Sequence, residues 1–181
     1  MSLAVHDLRT PLATMSGFAR TLQRSALGDP ADRYVGMMVA AGAQLADLLD
    51  EVGLAARIES GRWEPNVQEV DTAELASAAA ERLEGADADG AGENVRVDRD
   101  AAATALLQLA RCALRHGGLE RVGLRADGPE LSVAPIVPDA VPILMREQAR
   151  DLGALIAPRI VAALGGAVEL AGDRLVVRFP T

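Results

Sequence analysis

The sequence contains no lysine: all 18 basic residues among its 181 are arginine, set against 26 acidic ones for a net charge of −8. That balance argues against a partner held through a phosphate backbone and favours a protein partner. Aromatics are almost as scarce. Trp63, Tyr34, Phe18 and Phe179 are the full set, which leaves no platform for stacking on nucleic-acid bases. The lone cysteine, Cys112, excludes an intrachain disulfide and a multi-cysteine zinc site, and it fits a reducing compartment. No apolar run approaches the roughly 20 residues that span a bilayer, so the chain is expected to be soluble and cytoplasmic, without a membrane contact of its own. What is present is apolar content of 50%, enough for a real core in one domain or two small ones.

That apolar content is arranged first with helical periodicity. Leu8, Leu12, Met15, Ala19 and Leu22 recur in steps of four and three, and Tyr34, Met38, Ala41, Leu45, Leu48, Val52 and Ala55 repeat the pattern. Spacing of this kind forms a coiled-coil seam. Gly28 closes the first helix, and Asp29-Pro30 is expected to open the second with an N-cap acceptor and a proline at the first helical position. The result is an antiparallel hairpin ending near Ser60-Gly61, a first domain of residues 1–61. A hairpin cannot enclose its own seam, so the expectation is a homodimer that closes a four-helix bundle; the alternative is that the stripe packs on the rest of the chain.

After Arg62-Trp63-Glu64-Pro65 the period changes, and residues 62–181 read as a second, α+β domain with helices on one face of a mostly antiparallel sheet. Strands are expected at Val67–Val70, Val95–Val97, Arg121–Arg125, Glu130–Val137, Ala167–Leu170 and Arg174–Phe179. Asp71 with Glu74 forms a capping box for a helix over Thr72–Leu83, and Asp98 caps a helix from Arg99 to His116 that ends at Gly117-Gly118. Gly85–Gly92 reads as a flexible acidic loop. A last helix is expected from Met145 to Leu164, with Pro158 kinking it or marking its true start.

His6-Asp7-Leu8-Arg9-Thr10-Pro11-Leu12 resembles the H-box of bacterial sensor histidine kinases. Ala55-Ala56-Arg57-Ile58-Glu59-Ser60-Gly61 is similar to the end of that family's second dimerisation helix, and Val70-Asp71 and Val97-Asp98 match its next landmarks. The resemblance covers nearly the whole chain. It implies a dimeric phosphotransfer hairpin followed by an ATP-binding sandwich of the Bergerat type, acting in two-component signalling. The residue chemistry agrees: a neutral imidazole, with an ordinary pKa of about 6.5, can attack a phosphoryl group. Asp7 can hold the proton on the other ring nitrogen, and Thr10, one turn on, can orient a water for phosphatase chemistry. Arg9, Met15 and Phe18 are the expected contacts for a receiver partner.

The nucleotide boxes of the resembled family depart from pattern. Its Asn-Leu-x-x-Asn-Ala-x-Lys box aligns with Gln108-Leu109-Ala110-Arg111-Cys112-Ala113-Leu114-Arg115, so Gln108 replaces the first Asn and Cys112 the Asn that reaches Mg²⁺. A thiol is a poor ligand for that hard ion. The adenine-binding Asp and its glycines align with Ala134-Pro135-Ile136-Val137-Pro138, which offers neither carboxylate nor glycine. The last glycine box aligns with Ala149–Ala154, where only Gly153 remains and Asp151 brings a carboxylate to the place for phosphates.

These losses predict an intact phosphotransfer histidine on a shell that does not bind ATP, with no metal or cofactor in this chain. The pattern is similar to kinase-derived dimeric histidine phosphotransferases, which relay phosphate between response-regulator receivers. In that reading Mg²⁺ comes from the receiver, and an upstream histidine kinase is another possible donor. Two alternatives stand beside it: a sensor kinase core with a divergent ATP site, and a non-catalytic pseudokinase that scaffolds receivers or acts as a phosphatase. Cys112 is expected in the core, His116 as a partner of its helix dipole, and Trp63 in packing at the hinge.

Overall fold

A computed structural model describes the backbone of residues 2–25 and 27–181 and the side chains of residues 8, 9, 12–25 and 27–181. The chain divides into two compact units, residues 1–63 and 64–181. No described helix is long and apolar enough to cross a membrane.

The first unit is a hairpin of α1 (Ser2–Arg24) and α2 (Ala31–Glu59). Leu12 of α1 packs on Leu49 of α2, with Ala46 and Val52 beside them. Ser16 meets Gly42 across the hairpin, and a Cβ at Gly42 would press on the Ser16 hydroxyl. The connection differs from the sequence expectation. Asp29 does not cap α2; Pro30 holds the N-cap position without a side-chain bond, and Asp32 reaches back to accept the amides of Leu27 and Gly28 at 2.9 and 3.0 Å. An acceptor inside the first turn thus ties down the same loop that an N-cap would. Much of the expected seam lies open: Met15, Tyr34, Met38 and Leu45 are between 48% and 62% exposed.

The second unit runs β1 (Val67–Asp71), α3 (Thr72–Ala80), β2 (Ala86–Gly92), β3 (Asn94–Asp98), α4 (Arg99–Gly117), β4 (Val122–Gly128), β5 (Glu130–Ala134), α5 (Val141–Leu144), α6 (Leu152–Ala163), β6 (Ala167–Ala171) and β7 (Arg174–Arg178). Strands β1 and β3 form a two-stranded ribbon, and the main sheet has the order β2-β4-β5-β7-β6. Alternation drives its burial. Val122, Leu124 and Ala126 of β4 and Leu131 and Val133 of β5 point into the core. On the exposed side, Arg121 and Arg125 pair with Asp87 and Asp89 of β2. Helix α4 is the centre of the core, with Leu106, Leu107 and Leu109 essentially inaccessible.

Caps set most boundaries. The Asp71 and Asp98 carboxylates accept amides of Ala73 and Ala101, and Gly118 ends α4 in the left-handed conformation at φ 60°. Helix α3 stops at Ala80, three residues short of expectation, because the chain tightens there into turns closed by the Arg82 and Leu83 amides on Ala79 and Ala80.

Two expectations are corrected. Gly85–Gly92 is mostly strand β2, pairing parallel with β4 from Ala86↔Val122 to Gly92↔Gly128. Small residues and outward carboxylates carry no apolar period, so tertiary pairing decides this segment. Its glycines fit because Gly90 lies on the Ala126 backbone and Gly92 on Asp71 and Thr72, where no Cβ could stand. The expected long helix from Met145 is instead a short α5, a turn segment, and α6 from Leu152; Pro158 sits inside α6.

Candidate phosphotransfer hairpin and candidate nucleotide site

Helix α1 carries His6 in its second turn and runs through Pro11 without interruption. The side chains of His6, Asp7, Thr10 and Pro11 lie outside those described. By helical spacing, position 6 falls on the same line as 13, 17 and 20. Ala13, Gly17 and Arg20 line a groove between the helices together with Arg9 and Asp50, which form an ion pair across it. A second groove, on the other side of the helix crossing, is apolar: Met15, Ala19, Met38, Ala41 and Leu45 line it. Arg9 and Met15 therefore lie on different sides of the hairpin, and the three expected receiver contacts do not share one face. Phe18 is exposed on α1. Trp63, the last residue of its unit, is half-buried.

In the second unit, packing of α4 on α6 brings together four of the six positions singled out in the nucleotide boxes. Gln108 is buried, and its side chain fills the space over Gly153, where a Cβ would collide with it. Asp151 is the N-cap of α6: its carboxylate accepts the Ala154 amide at 3.0 Å. The same carboxylate takes His116 Nε2 at 3.0 Å and Arg115 at 3.5 Å. Cys112 lies beside this group, and burial, reinforced by the Asp151 charge and partly offset by Arg115, pushes its thiol up to about 12. Ala134 and Ile136 are elsewhere. Ala134 ends β5 opposite Gly123, and Ile136 is buried with its amide donated to the Asp173 carbonyl.

His116 is the residue whose role the sequence understated. It is a partner of Asp151 35 residues away, rather than only of its own helix dipole. The one available signal was its spacing of four from Cys112, which puts both on one face of α4.

The arrangement fits a magnesium-bound polyphosphate poorly. The donors at the start of α6 that would receive a phosphate already hold the chain's own carboxylate, the space beside Gly153 is filled by Gln108, and the position for a metal-reaching oxygen is a buried thiol.

Residues 1–61 match the His Kinase A (phospho-acceptor) domain. The crystal structure of full-length ShkA in complex with AMPPNP is 25% identical with a TM-score of 0.71, covering 98% of this chain and 44% of that one. Histidine kinase AdeS of Acinetobacter baumannii shares the fold at 14% identity and a TM-score of 0.59, with 97% of each chain covered. The cytoplasmic segment of histidine kinase QseC does so at 14% identity and a TM-score of 0.53, over 72% of this chain and 91% of that one. This chain thus spans less than half the length of ShkA. No curated protein gives a significant sequence match.

The chain has the architecture of a sensor histidine kinase core: a phospho-acceptor hairpin followed by an ATPase-like domain with a mixed sheet.

Proposed function

We propose that the protein is a dimeric histidine phosphotransferase that exchanges a phosphoryl group with receiver aspartates through His6 and does not use ATP. The observation that carries this reading is the pairing of a phospho-acceptor hairpin with an α6 N-terminus whose amide is taken by the chain's own Asp151, itself bonded to His116. In the transfer, a neutral ring nitrogen of His6 attacks the phosphorus of a receiver aspartyl phosphate. The N–P bond forms as the acyl P–O bond breaks, and the receiver carboxylate leaves. Asp7 holds the proton on the other ring nitrogen, and the receiver supplies the Mg²⁺. The receiver docks on the polar side of the hairpin around Arg9 and Thr10. The apolar groove with Met15, Met38 and Leu45 is covered by a second copy in a four-helix bundle.

A second reading has its own support. The match to ShkA, solved in complex with AMPPNP, extends over 98% of this chain, which favours a kinase core with a divergent ATP site. Two measurements separate them. Incubation with a ³²P-phosphorylated receiver is expected to label the wild type and leave His6→Ala unlabelled, while calorimetry with ATP and Mg²⁺ is expected to give no heat of binding. Micromolar ATP binding with autophosphorylation overturns the first reading in favour of the second. Absence of label on His6 from any phosphorylated receiver, together with absence of ATP binding, overturns both.

A further inference from the structure

We propose that Cys112, His116 and Asp151 form a binding site for a zinc-class divalent cation at the junction of α4 and α6. One sulfur, one imidazole nitrogen and one carboxylate oxygen lie within 4.8 Å of one another. Cys112 and His116 are four apart on a single helical face, so one rigid element presents both, and Asp151 arrives from the cap of the neighbouring helix. Tetrahedral zinc, with bonds of about 2.0 to 2.3 Å, needs ligand separations of about 3.4 to 3.6 Å. The cluster closes to that size with side-chain movements of about 1 Å. Its His116–Asp151 edge, at 3.0 Å, must open slightly.

The donor set selects the metal. Thiolate, imidazole and carboxylate suit Zn²⁺ or Co²⁺ and not Mg²⁺, which asks for six oxygens. Burial is graded for entry without exposure: the side chains of Asp151 and His116 are 8% and 21% accessible, and Cys112 is closed off behind them. The competing charge is Arg115, 3.5 Å from Asp151, but its side chain is 64% exposed and free to swing into solvent.

On binding, the Cys112 thiol releases its proton to solvent as the S–metal bond forms. His116 binds as the neutral ring, and Asp151 exchanges its hydrogen bond with His116 for a metal bond. No electron changes hands, and a water completes the fourth position. The ion would pin α4 to α6 where the family's nucleotide boxes converge. The sequence expectation was of no metal; His116 and Asp151, 35 residues apart, give no local spacing that would suggest one. The inference does not depend on phosphotransfer by His6.

The test uses the full chain without an affinity tag, stripped with a chelator and titrated with Zn²⁺ by calorimetry and with Co²⁺ by absorbance. One ion per chain is expected, with a near-ultraviolet thiolate-to-cobalt charge-transfer band and visible bands of four-coordinate intensity. Cys112→Ala should lose the charge-transfer band, and both it and His116→Gln should bind more than about 100-fold more weakly, beyond the range of outer-shell changes. His6→Ala, which removes the chain's other histidine, should bind as the wild type does. The wild-type cobalt spectrum requires no variant to fold. Absence of stoichiometric binding, absence of the thiolate band, or unchanged affinity in Cys112→Ala overturns the proposal.

Discussion

The hairpin and the sandwich spend the same kinds of side chain in opposite ways. In residues 1–63, large apolar groups such as Met15, Phe18, Tyr34 and Met38 face outward, and the described core reduces to a contact of Leu12 with Leu49 flanked by small residues. In residues 64–181, Leu75, Leu106, Leu107, Leu131 and Ile160 are almost completely enclosed by helices and sheet. A domain that buries its own leucines carries its stability within itself. Two helices that leave theirs in solvent derive theirs from whatever covers them, which for the proposed function is a second copy.

The sharpest way to break this contrast is to truncate one leucine in each region. Leu106→Ala should cost the sandwich about 2 to 5 kcal/mol in chemical denaturation, as expected for a filled core site. Leu45→Ala, on the exposed stripe, should leave the sandwich transition unmoved and instead shift the monomer–dimer balance in analytical ultracentrifugation. Equal losses in the sandwich transition from both would remove the distinction.

A smaller effect tests the junction of α4 and α6. Asp151→Ala removes the α6 cap and the His116 partner, and about 0.5 to 2 kcal/mol of sandwich stability should go with it, measured in chelator to exclude metal. The Cys112 thiol adds a pH-dependent test. Its folded thiol lies at about 12 against an ordinary 9.0, so the unfolded chain ionises first as pH rises. The stability present below pH 9 therefore declines between pH 9 and 12, and the difference curve between wild type and Cys112→Ala should fall across that window. The smallest effect belongs to the sheet's outer face: Asp87→Asn breaks an exposed pair with Arg121 and should change stability by less than about 1 kcal/mol.

Much of the architecture was legible because it rests on local rules. Steps of three and four marked both hairpin helices, and an acceptor followed by a helix former marked α3 and α4. Gly118, Gly128 and Gly172, all at positive φ, stand where helix and hairpins turn. Legibility failed where the deciding partner was distant. Strand β2 has no apolar alternation of its own and exists because β4 offers a parallel ladder with Arg121 and Arg125 opposite its carboxylates. The start of α6 was misplaced because the periodicity upstream of Asp151 continues the helical pattern, while the cap that stops it depends on backbone geometry.

By itself, then, the sequence determined the His6-to-Leu12 motif, the two helices of the hairpin, and a glutamine and a cysteine one turn apart at positions 108 and 112. Only the tertiary structure decided that Asp151 would turn from an intruding charge into a cap held by His116 and Arg115, with Cys112 at its side. Residue type and periodicity act over a turn or two of chain. The meeting of α4 with α6 is set by packing between segments far apart in sequence, which no local pattern encodes.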